Sequence, residues 1–114
     1  MKAYLTFLFA SVSLVFATQA PTPNSSGSNS VEIHYRDGHF SPQNLVLSSG
    51  QSVDLRVVND SQERIEFESF KLHREVIVRA GETVVLHLPK LKPGKYDFFD
   101  DFNEDVPDGQ ILVR

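Results

Sequence analysis

Glu66 and Glu68 stand two residues apart in a stretch of period-two hydrophobicity, which places both carboxylates on one face of a strand. At a rise of ~3.4 Å per residue they lie about 7 Å apart, close enough for one cation to meet both. Further along, Asp97, Asp100, Asp101, Glu104, Asp105 and Asp108 fall in a run, 97–108, that holds no Lys or Arg. Carboxylates crowded in this way repel and raise one another's pKa unless a cation or a basic surface neutralises them. Donor sets made only of oxygen suit hard cations such as ferric iron, manganese or calcium better than copper(I). An EF-hand is not among the readings, because the D-x-D-x-D-G spacing with its distant Glu is missing.

Plainer readings compete with these. Arg64 and Arg74 are near enough in sequence to pair with Glu66 and Glu68 as solvent-facing ion pairs, each contributing about 0–1 kcal/mol. Glu75, between Arg74 and Arg79, has the same ambiguity, and the acidic run reads equally as a solvated loop. Of the four histidines, His34 and His87 fall on the polar phase of their strands and are expected to be exposed. His39 precedes Phe40 in a turn, and His73, beside Glu75, is the better site member. No two histidines have the i, i+2 or i, i+4 spacing of a metal pair. Hydrolase chemistry is disfavoured: there is no G-x-S-x-G and no glycine-rich phosphate loop. Nor does a sandwich of about 84 residues offer a deep cleft for glycoside hydrolysis.

Composition narrows the classes further. The chain has 114 residues and no cysteine, which removes disulfides, Cys-ligated zinc, iron–sulfur clusters and thiol nucleophiles together. Met1 and Lys2 followed by an apolar run to Phe16 and a small residue at Ala17 have the form of a signal peptide over 1–17, with Ala20 a second cleavage site. The apolar run is shorter than the ~20 residues a membrane span needs, and a lipoprotein anchor lacks its cysteine. A periplasmic or secreted protein is expected. The formal charge of −4 becomes about −5 once Lys2 leaves with the leader, which is unfavourable for a nucleic-acid partner.

Residues 18–30 are rich in Pro, Ser, Asn, Thr and Gly, and read as a flexible linker before a single folded domain over 31–114. In that domain apolar residues alternate at 31–35, 53–57, 65–67, 72–78, 84–88, 96–98 and 111–113, each bounded by turn chemistry. The spacing predicts an all-β sandwich of about seven strands, and no segment carries a helical stripe.

Phe40-Ser41-Pro42 with Leu45, Leu47, Gly50, Val53 and Asn59, and then Leu91 to Phe98 through Pro93-Gly94-Lys95-Tyr96, resemble the opening and closing segments of cupredoxin domains. The resemblance implies a Greek-key β-sandwich over essentially all of 31–114. It also implies where a blue-copper centre would take its cysteine, histidine and axial ligand: at Asp100, Asn103 and Asp108, with a first histidine near Glu66. All four positions lack the needed side chain, so a blue-copper centre is not expected.

A narrower likeness runs through Glu66-Phe67-Glu68-Ser69, Leu72, Arg74 and Glu75, and then Tyr96-x-Phe98-Phe99-x-Asp101-Phe102. It resembles the cupredoxin-domain proteins that accompany bacterial high-affinity iron permeases. By that resemblance Glu66, Glu68, Glu75 and Asp101 carry over as metal-site candidates, and Asp100 joins them from the acidic run. An iron or copper ion is implied, with ferroxidase-like oxidation of ferrous iron or its delivery to an inner-membrane iron permease, alongside companion periplasmic proteins. Asn103 departs from the pattern where a histidine is expected. The competing expectation is a non-catalytic interaction module without metal, whose acidic loop docks a basic surface.

Overall fold

Val53, Leu55, Val57 and Asn59 alternate strictly with Asp54, Arg56 and Val58, and β4 (Val53–Asn59) accordingly buries one face and leaves the other half-exposed. In the computed structural model, which describes residues 29–114, β4 lies between β1 (Asn29–Arg36) and β7 (Thr83–Leu88), with β2 (His39–Ser41) outside β1. The second sheet has the order β3 (Asn44–Leu47), β9 (Gly109–Val113), β8 (Gly94–Asp100), β5 (Ile65–Ser69) and β6 (Arg74–Val78). β1 pairs with β4, and β3 with β9, in parallel; the remaining neighbours are antiparallel. The described residues form an all-β sandwich without a helix.

Between the sheets the inward residues make one core that includes Ile33, Leu55, Val57, Ile65, Val78 and Ile111. Its centre is aromatic. Phe40 meets Phe98 edge-on at 5.2 Å between centroids, and Phe67 stacks on Phe98 at 5.1 Å. Gly109, opposite Phe98 in the β8–β9 register, leaves the space this ring occupies, since a Cβ there would overlap it. Asn59, fully buried, donates through Nδ2 to the carbonyls of Glu63 (2.6 Å) and Val78 (2.9 Å). That side chain ties the 60–64 turn to β6 and so fixes where β5 begins.

Among the described residues nine strands stand where about seven were expected. The additional pair, β2 and β3, are three and four residues long and flank Pro42, too short for an alternating pattern to register. The strand expected over 72–78 starts only at Arg74. Phe70 to His73 form a turn instead, with His73 at φ 54° and its amide bonded to the Phe70 carbonyl at 3.1 Å. Asn29 and Ser30, placed in the linker by composition, pair with Val53 and Asp54 as the start of β1. The segments expected to be a leader (1–17) and the rest of a linker lie outside the described residues. Among the described residues no helix is long and apolar enough to cross a membrane.

Candidate metal centre

β5 sits between β6 and β8, and its register decides which side chains meet. Phe67, paired with Val76 and Asp100, faces the core; Glu66 and Glu68 therefore face outward. Glu68 stands opposite Glu75 on one side and Phe99 on the other, while Glu66 stands opposite Ile77. Where β8 ends, the Asp101 amide donates to the Glu66 carbonyl at 3.0 Å and extends the ladder by one rung, which brings the Asp101 side chain beside Glu66. One carboxylate oxygen from each of Glu66, Glu68 and Asp101 lies within 4.8 Å of the others.

Glu66 is only 7 % exposed. A shared hydrogen bond with Glu75 raises its pKa to about 7, helped by burial and by repulsion from Glu75, Asp101 and Glu68. Burial and the charges of Asp101 and Glu75 also raise the Glu68 carboxyl. Such a cluster is unfavourable when fully ionised, and a cation among the three oxygens relieves both the repulsion and the lost hydration.

The ion pairs expected from Arg64 and Arg74 do not form. Arg64 lies over the Phe102 ring, 5.1 Å from its centroid, and Arg74 donates to the carbonyls of His73 and His87. Among the described residues the ion pairs join Glu32, His34, Arg36, Asp54, Arg56, Asp60 and His87, all belonging to the other sheet or its margin. His34 and His87 are thus the surface residues their strand phase predicts. Hydrogen bonds to Asp60 and then Glu32 raise the His34 pKa. His73 lines a notch with Glu68, Phe70 and Glu75, next to the trio but outside it.

Two of the five candidate ligands are placed differently from the trio. Glu75 is adjacent, exposed, and reaches Glu66 from across the β5–β6 pair. Asp100 stands apart from the trio: it shares the inward phase of Phe98, is 2 % exposed, and its Oδ1 accepts from the amides of Glu66 (2.9 Å) and Phe102 (3.1 Å). By the resemblance to blue-copper members, that carboxylate stands where the cysteine was expected. The neighbouring Asn103 is spent in the same way, its Oδ1 accepting from the Asp105 amide at 3.1 Å. These residues do not fit a blue-copper centre.

Elsewhere in the acidic run, the Asp97 carboxylate accepts from Gln110 Nε2, and Gln43 donates to the main-chain carbonyl of Asp108. Sequence reasoning missed the apolar rim of the trio, Phe70, Ile77, Phe99 and Phe102. One signal was there: Phe98 and Phe99 are adjacent on a strand, so one ring must face outward.

A model of the cupredoxin-like domain matches residues 5–113. The chain belongs to the cupredoxin-like domain family. An uncharacterized protein of Rickettsia prowazekii (strain Madrid E) is 34% identical over 100 residues, which cover 88% of this chain and 80% of that one. Among solved structures, the metal-binding domain of the Streptococcus pneumoniae Cu(I)-exporting P-type ATPase, determined with Cu(I), superposes with TM-score 0.69 at 13% identity, covering 78% of this chain and 88% of that one. Auracyanin A, a blue copper protein of Chloroflexus aurantiacus, gives 0.64 at 15% identity, covering 77% and 100%. At such identities the likeness concerns the fold. This cupredoxin-like domain keeps the frame, has no cysteine, and carries its open carboxylates on an outer face.

Proposed function

We propose that this protein is a periplasmic or secreted metal-binding cupredoxin-like protein that assists iron uptake, holding ferrous iron and passing it, as such or oxidised, to an inner-membrane iron permease. The observation that carries the reading is the trio itself: one carboxylate oxygen from each of Glu66, Glu68 and Asp101 lies within 4.8 Å of the others, and Glu66 is a residue only 7 % exposed. The leader pattern supports export, and the resemblance to permease-associated proteins supports iron as the cargo. The copper named for the structural neighbours does not transfer, because the donors here are hard oxygens and a hydrogen-bonded Asp100 stands where the cysteine was expected.

Carboxylates bind ferric iron more strongly than ferrous iron, so the trio lowers the reduction potential of iron held there. One electron then passes from ferrous iron to dioxygen, giving ferric iron and superoxide, or to an electron-accepting partner protein. Glu66, Glu68 and Asp101 supply the ligand oxygens, and Glu75 holds Glu66 through their shared proton until the cation arrives.

Anaerobic calorimetry of the processed protein with ferrous, manganous and cupric ions, and with ferric iron as its citrate, tests the reading. One equivalent of iron bound at about 1 μM or tighter is expected. Absence of micromolar binding for every ion would sink it, and a strong blue band in protein purified without chelator would overturn the exclusion of a copper–thiolate centre.

A further inference from the structure

The rim of the carboxylate cluster is apolar. Phe70 is 72 % exposed, Ile77 49 % and Phe102 44 %; among the described residues the other exposed large apolar side chains, Val46 and Val85, lie on β3 and β7. The rim is continuous by register. Phe70 touches Phe99 at 5.3 Å between centroids, Phe99 stands opposite Glu68, Glu68 opposite Glu75, Glu66 opposite Ile77, and Phe102 follows Asp101. Between Phe70 and the β5–β6 pair lies the notch of about 200 Å³ lined by Glu68, Ser69, Phe70, His73, Arg74 and Glu75.

We propose that this outer face of β5, β6 and β8 docks a protein partner whose surface presents a basic side chain, Arg or Lys, among apolar ones. Charge complementarity decides the occupant. The face offers Glu66, Glu68, Glu75 and Asp101; of the cations beside it, Arg64 lies over the Phe102 ring, Arg74 donates to the carbonyls of His73 and His87, and Lys71 donates to the Lys95 carbonyl. A second copy of this chain would bring the same four carboxylates and repel, as would an anionic lipid surface. Exposed apolar side chains clustered around desolvated charge have the make-up of an interface centre. A guanidinium entering the notch would meet the Glu68 and Glu75 carboxylates and Phe70, with His73 and Arg74 on its wall and the Arg74 guanidinium held by the His73 and His87 carbonyls; Arg64 lies over Phe102 within this chain in the same kind of contact. The docking face is complete without a bound ion, so the proposal stands apart from the iron reading.

The test uses the metal-free processed protein and a synthetic peptide of about ten residues that alternates arginine and leucine, with its glutamate–leucine counterpart as control. Amide chemical shifts should move at 66–77 and 99–102 with the basic peptide alone. Affinity should fall about tenfold in Phe70→Ser combined with Phe102→Ser, and again in about 0.5 M salt. Both substituted side chains are exposed, so folding is retained, and iron titration of the same variant should match that of the parent. Shifts spread over the other sheet, equal binding of the acidic peptide, or unchanged affinity in the double variant would overturn the proposal. Failure of iron binding would contradict the metal reading alone, because the peptide is read without metal.

Discussion

The amide of Glu66 donates to Asp100 Oδ1 at 2.9 Å, while the Glu66 side chain points away from it to the outer face of the sheet. Two acids at the same place in the fold thereby divide the work. Asp100 is an inward acceptor that fixes the end of β8 against β5, and Glu66 is an outward carboxylate, anchored through its main chain, whose head group meets those of Glu75, Glu68 and Asp101.

Asp100→Ala leaves the buried amide of Glu66 and the part-buried amide of Phe102 without their acceptor. Unmet buried donors cost about 1–3 kcal/mol each, so urea denaturation should show a loss of about 2–4 kcal/mol. Asp100→Asn, which keeps an oxygen acceptor, should lose less. Iron stoichiometry should stay at one in both variants. Abolished iron binding in a folded Asp100→Asn would show that the carboxylate is a ligand after all.

Glu66 takes up its proton at about pH 7 in the folded chain, against an ordinary value of 4.5. The folded state therefore binds more protons than the unfolded one between these values. Its contribution to stability is full below pH 4.5 and is lost as pH rises to about 7. Cation binding has the opposite slope, because the proton must leave: affinity should fall by up to about tenfold per pH unit below 7. Calorimetry in two buffers of different ionisation heat should detect the released proton at pH 6. In Glu66→Gln both slopes should flatten, and a parent protein whose affinity is level from pH 5 to 7 would contradict the assignment.

Gly109→Ala places a methyl group against the ring of Phe98, which is fully buried between Phe40 and Phe67 and has nowhere to move. Overpacking of this kind costs about 1–3 kcal/mol, and thermal unfolding should show it as a clear drop in Tm. Phe98→Leu in the same chain should restore part of the loss, since the smaller side chain vacates the space. A neutral Gly109→Ala would mean that the ring does not sit over the glycine.

These placements mark how far residue patterns reach. Alternation along β4 and β8, together with the Pro93-Gly94 turn, is local, and it was enough to give the sandwich and the outward phase of Glu66 and Glu68. Asp100 and Asp101 are separated by that same phase: Asp100 follows Phe98 inward and Asp101 follows Phe99 outward, yet both read as members of one acidic loop until β8 was seen to run through Asp100. The donor to Asp100 comes from 34 residues away, which no spacing rule reports. The role of Gly109 in β9 depends on a ring from the neighbouring strand. Arg64 and Arg74 looked like partners for the two glutamates because only their sequence distance was visible; the strand directions send them to Phe102 and to main-chain carbonyls.

The most direct test of the account compares iron titrations of the parent protein and of the Glu66→Gln, Glu68→Gln double variant, with circular dichroism confirming that both are folded. The parent is predicted to bind one equivalent at about 1 μM or tighter, and the double variant about a hundredfold more weakly. Equal affinity in the two proteins, or no binding by the parent, would contradict it.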